Sequence, residues 1–235
     1  MSALLALARH PREGAALVVR QGRLGVALLL VAAATVVSAL SAARFAGEVS
    51  VQEVMFGPQR SPAVEALLGA LGKELTAIVL HLVESSWNAL IVATAFGPVF
   101  VWLLGATAVH AAARLAGHRR PFLPMLVLVG HATGLTRPVG DLAALALGSR
   151  GTGASLAQLI GALAFVWLGV LAWRGIQAHY GVPEGKALSI LVVAIVFFYL
   201  APLVLVAAAA VAIIVAAIVL EYVPSGGGRG LVPLR

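Results

Sequence analysis

Between Arg23 and Arg44 run twenty residues without a charge, Leu24 to Ala43. A helix rises about 1.5 Å per residue, so this run makes a rod about 30 Å long, the thickness of a bilayer's hydrocarbon core. Four more long apolar stretches follow, and each stops at charge. Ser85 to Ala113 lacks Lys, Arg, Asp and Glu; Pro121 to Thr136 meets Arg137; Gly151 to Trp173 lies between Arg150 and Arg174; Ala187 to Leu220 is interrupted only by Pro202. Lipid is the solvent that suits such a chain, and that fixes where its few polar groups can sit.

Composition agrees. The chain is 61% hydrophobic and 11% charged, whereas soluble domains run at about 45–50% apolar and about 25% charged. A net charge of +7 invites a nucleic-acid reading, but the basic residues are scattered at segment ends rather than gathered on one face, so no nucleic-acid partner is expected. Cysteine is absent, which excludes disulfides, thiol catalysis and Cys-ligated metals. The first apolar run follows Arg9, Arg12, Arg20 and Arg23 as a signal peptide would. At twenty residues it exceeds the secretory core of about 7–15, so an uncleaved span is expected.

The expected fold is all-α: a polytopic membrane protein, a bundle of five transmembrane helices plus one amphipathic loop helix. Residues 1–23 read as a cytoplasmic N-terminal segment, 24–221 as the membrane domain and 222–235 as a flexible tail. The spans read as about 24–43, 86–109, 122–146, 154–173 and 187–220. In the first loop Val64, Leu67, Leu68, Leu71, Leu75, Ile78, Val79, Leu82 and Val83 recur at three- and four-residue steps, with Ser61 as N-cap and Pro62 opening the helix. Kinks are expected at Pro98 and Pro202, because proline removes a backbone donor and crowds the preceding turn. Basic residues weight the N-terminus and the Arg114–Arg120 turn, which puts the N-terminus in the cytoplasm and the C-terminus outside the cell membrane.

Few residues could carry chemistry. His131 lies about ten residues into the third span, roughly 15 Å deep, where an ionisable group is a functional candidate. Its duller role is a neutral imidazole bonded to a neighbouring helix. Arg137 and Asp141 stand four apart on one helical face, as a polar-site pair or as the end of a span, with Pro138 between them to bend the helix. Arg114, Arg119 and Arg120, with His110 and His118, form a basic cluster that either touches anionic headgroups or sets orientation. Ala208, Ala212 and Ala216 make a small-residue ridge suited to helix packing or self-association. No Walker A loop, HExxH, GxSxG or metal-spaced cluster occurs, so neither a cofactor nor an enzyme is expected.

Three stretches resemble bacterial members of the Yip1 family of five-span membrane proteins. They are HPREGAALVVRQGRLGVALLLVA, LLGATAVHAAARLAGHRRPFLPMLVLVGHATGLTRPV and FVWLGVLAWRGIQAHYGVPEGKAL, within a likeness that runs from about Leu4 to Leu220. The resemblance implies a cytoplasmic N-terminus, five helices and an outside C-terminus, and brings no catalytic residues. Eukaryotic relatives bind small GTPases and carry an Asp-Leu-Tyr-Gly-Pro motif ahead of the membrane region. That motif is absent here, so a GTPase partner is not expected. The expected function is a non-catalytic multi-pass protein organising membranes or partner proteins, its partners being the bilayer, other membrane proteins or further copies of itself. The alternative is a small transporter or transporter subunit with a polar site around His131, Arg137 and Asp141. An intramembrane enzyme acting on lipid is the third reading.

Overall fold

This computed structural model describes residues 3–51, 57, 62–148 and 150–222, with side chains for all of these except 3, 62–64, 67–68, 73–74, 201 and 205–222. The described elements are helices: α1 (Ala3–Arg9), α2 (Pro11–Gln21), α3 (Leu24–Glu48), α4 (Pro62–Ala95), α5 (Gly97–Leu115), α6 (Leu123–Leu147), α7 (Gly151–Tyr180) and α8 (Glu184–Tyr222). The chain divides into two compact units. Residues 1–195 form the first; residues 196–235 form the second, in which α8 runs on through Pro202. Ser61 and the tail from 223 onward lie outside the described residues, as do the side chains of Ala208, Ala212 and Ala216.

Among the described residues, five helical segments are long and apolar enough to cross a membrane: Leu24–Glu48, Leu75–Ala95, Gly97–Leu115, Gly151–Tyr180 and Glu184–Val204. The loop helix and the start of the second apolar stretch are one element, α4, broken at Gly72, whose φ of 69° belongs to the left-handed region. The stretch 86–109 is divided between α4 and α5 at Phe96, and Pro98 occupies the first turn of α5, where a missing N–H costs least. Proline at 98 cannot donate to the carbonyl of Thr94, and that carbonyl faces the Ser38 hydroxyl at 3.5 Å.

α6 is the hub. It packs against α3 and α7 most extensively and also meets α1, α2 and α5. Small residues permit these approaches. A Cβ on Gly130 would lie 2.8 Å from Ala27 Cβ, and one on Gly134 would lie 2.5 Å from Leu30 Cβ. These pairs, continued by Asp141 opposite Ser38, run in the same direction along both chains, so α3 and α6 are parallel. Gly140 meets Gly161, and Gly175 meets Leu128, so α7 is antiparallel to α6. Trp102 donates Nε1–H to Leu126 O at 2.8 Å, and Gly97 lies beside Arg137, so α5 is antiparallel too. Without a hydrophobic drive between helices in lipid, such small-residue contacts and interhelical hydrogen bonds hold the bundle.

The N-terminal segment is built into this unit. α1 and α2 form a hairpin whose helices approach so closely that a Cβ on Gly14 would overlap the backbone of Leu7. Leu7 and Val18 are fully buried, and α2 lies on both α6 and α7.

Candidate polar site on the central helix

α6 gathers the polar residues of the membrane domain and encloses most of them. His131 is 2% exposed, with Nδ1 2.8 Å from Val127 O. A carbonyl only accepts, so Nδ1 carries the proton and the imidazole is fastened to its own helix. Thr136 likewise donates to Ala132 O at 2.9 Å, while Thr133 Oγ1 is buried without a partner.

Arg137 and Asp141 come together as their spacing suggests, but loosely. Arg137 Nε is 3.9 Å from Asp141 Oδ2, beyond hydrogen-bond range, and is buried without another partner. Asp141 Oδ2 instead accepts the Ser38 hydroxyl at 2.8 Å. Ser38 has one proton to give, so its 2.8 Å bond to the carboxylate takes precedence over the 3.5 Å contact with Thr94 O. One hydroxyl thus stands where α3, α4 and α6 meet.

Arg137 reaches toward α5, its Nη2 3.3 Å from where a Cβ on Gly97 would stand. There it borders a cleft of about 20 Å³ with Val101, Thr136, Gly140, Gly161 and Phe165, room for about one water molecule. His131 is not among the residues that line it. Six residues separate it from Arg137, about 9 Å along the helix axis. The structure therefore joins Arg137 to Asp141 and leaves His131 apart. Thr136 and Ala164 also edge a larger groove of about 370 Å³, lined by Ala8, Leu135, Val139, Ile160, Leu163 and Trp167, and almost wholly apolar. Among the described residues no group of three or more His, Cys, Asp or Glu is placed to hold a metal ion.

A second polar cluster lies at the end of the bundle where α5 and α7 finish. His110 Nδ1 is 3.0 Å from Tyr180 Oη, and His179 Nε2 donates to Pro121 O at 2.9 Å. Arg114 and Arg120 act electrostatically on these rings, and Arg114, Arg119 and Arg120 are all exposed. The next turn is closed by Arg174, which pairs with Glu184 at 2.6 Å and lies 4.2 Å over the Trp173 ring. Sequence reasoning placed the three arginines but missed Ser38, Tyr180 and His179. A serine or tyrosine in an apolar run has no local signature of its partner, and Ser38 and Asp141 are 103 residues apart.

Helices whose outer faces carry exposed Leu29, Leu90, Leu163 and Val192, around one enclosed polar helix, define a polytopic α-helical membrane protein. The Yip1 domain model matches residues 5–206, and the chain belongs to that family. No curated protein and no solved structure matches the chain.

Proposed function

We propose that this Yip1-family protein is a non-catalytic organiser of membrane or partner proteins in the cell membrane, with its N-terminus cytoplasmic and its C-terminus outside. The observation that carries this reading is how α6 uses its polar residues. His131 bonds to its own helix, Asp141 ties α3 to α6, and Trp102 ties α5 to α6. The side chains that looked most like chemistry serve assembly, while the apolar segment Leu75–Ala95 of α4 buries no residue against the rest of the protein. That surface is free to meet lipid or another helix. The orientation rests on charge. Gly22 lies beside Val127, so Arg20 and Arg23 share the end of the bundle that holds Arg119 and Arg120.

Photo-crosslinkers at Leu90 on α4 and at Leu128 on α6, tested in native membranes, address the role. Discrete protein adducts are expected from Leu90 and none from Leu128. Lipid adducts alone at Leu90 would remove the partner-organising part of the reading. The chain has no cysteine, so single cysteines at Arg119 and Arg150 report orientation against an impermeant maleimide, with Arg119 expected on the cytoplasmic side.

The transporter reading draws on the cleft beside Arg137 and the loose ion pair there. A cleft of about one water is small for a solute. Solute flux in proteoliposomes that disappears in Arg137→Gln while thermal stability is kept would favour transport over organisation.

A further inference from the structure

The basic end of the bundle is a built surface. Arg114 closes α5, Arg119 and Arg120 sit in the turn before α6, and all three are exposed. Among the described residues no acidic side chain pairs with any of them. The acid that follows α7, Glu184, is held by Arg174 at 2.6 Å. Beneath the arginines lies a floor of rings. Phe122 stands 5.2 Å from His110, Tyr180 stands 6.5 Å from both His110 and His118, and His179 packs edge-on against Tyr180 at 4.6 Å. His179 grips Pro121 O, next to Arg120, so the floor holds the turn that presents the arginines. Arg114 acts electrostatically on His110 and Tyr180, and Arg120 on His179, so both cations converge on the same floor. The opposite end differs. There Arg44 pairs with Glu48, and Arg150 donates to the Glu48 carbonyl.

We propose that this end binds the phosphate headgroup of an anionic phospholipid, with Arg114, Arg119 and Arg120 as its cations. The cations are arginines, whose planar fork matches phosphate oxygens two at a time. They lie at and just beyond the last turn of α5, a helix long and apolar enough to cross a membrane, and each cation near a charged membrane surface adds attraction. The site goes beyond the organising role and does not depend on it: lipid binding is read on purified protein, partner capture only in native membranes.

The test titrates full-length protein in neutral detergent with short-chain phosphatidylglycerol, short-chain phosphatidylcholine, inorganic phosphate and polyglutamate, reading the rise in Tm. Phosphatidylglycerol is expected to stabilise saturably, and the other three much less. Affinity falls roughly fivefold for each arginine removed, so Arg119→Gln with Arg120→Gln loses about thirtyfold. Both positions are exposed and outside helices, so these variants fold. The charge-keeping pair Arg119→Lys with Arg120→Lys keeps the attraction but loses the fork, so its affinity falls between the wild type and the double glutamine variant, and Arg44→Gln at the other end retains all of it. An equal response to phosphatidylcholine, an equal response to inorganic phosphate, tighter binding of polyglutamate, or unchanged affinity in the double glutamine variant each overturns the proposal.

Discussion

α6 and α4 invert the usual expectation for a membrane protein. α6 carries His131, Arg137 and Asp141 with two prolines and several glycines, and is not among the segments apolar enough to qualify as spans. Yet it buries more residues than any other described helix of the first unit, nine from Met125 to Thr136. The Leu75–Ala95 segment of α4 qualifies readily and buries none. Apolarity is therefore a demand of the lipid-facing surface rather than of the bundle's centre. A helix sheathed by its neighbours can hold ionisable groups, because protein rather than hydrocarbon meets them. Glycine follows the same division, serving close approach on α6 and nothing comparable on α4.

The sharpest way to break the contrast is a pair of glycine substitutions. Gly134→Leu forces side-chain atoms against Leu30, whose backbone carbon would already lie 3.0 Å from a Cβ at 134. Overpacking of a core costs about 1–3 kcal/mol, and loss of monodisperse protein in detergent is the expected result. Gly69 on α4 has nothing within 4 Å, so Gly69→Ala is expected to leave stability unchanged or raise it by about 0.5–1 kcal/mol. If both variants behave alike, the division between the two helices is wrong.

Asp141→Ala comes next. It leaves the Ser38 hydroxyl only the 3.5 Å contact with Thr94 O and Arg137 without its nearest anion. Hydrogen bonds to charged groups contribute about 1.5–3 kcal/mol, so Tm should fall clearly, and less in Asp141→Asn, which can still accept from Ser38. Trp102→Phe keeps most of the packing and loses the Nε1 bond to Leu126 O, an expected change of about 0.5–1.5 kcal/mol in detergent unfolding. The smallest effect belongs to α4: Leu90 is 53% exposed, and Leu90→Ala should stay within about 0.5 kcal/mol.

The parts of the fold legible in the sequence were those with a local cause. Charge at both ends of Leu24–Ala43 announced α3, which continues to Glu48 because Arg44 finds Glu48 four residues on and a carbonyl at Leu145. The i,i+4 spacing of Arg137 and Asp141 placed them on one face. Hydrophobic periodicity announced the loop helix and left two readings open, a helix lying along the membrane surface or an extension of the second span; the structure has the extension, one element from Pro62 to Ala95 broken at Gly72. The division at Phe96 was legible as a proline effect, though as a bend within one helix rather than a boundary between two. The seat of the N-terminal hairpin was invisible: the basic residues of 1–23 dominate the pattern, and the signal of docking, Gly14 against Leu7, means nothing until two helices are known to touch. The same holds for His131, whose bond to Val127 O has no signature in the sequence.

That hairpin carries a consequence for the order of biogenesis. A ribosome releases Leu7 and Val18 early, but the walls they lean on belong to α6 and α7 and emerge more than a hundred residues afterwards. The hairpin is made well before the walls it docks on. Until α7 leaves the exit tunnel, the hairpin has only its own two helices to pack together, and the face of α2 that meets α6 and α7 waits without its native walls.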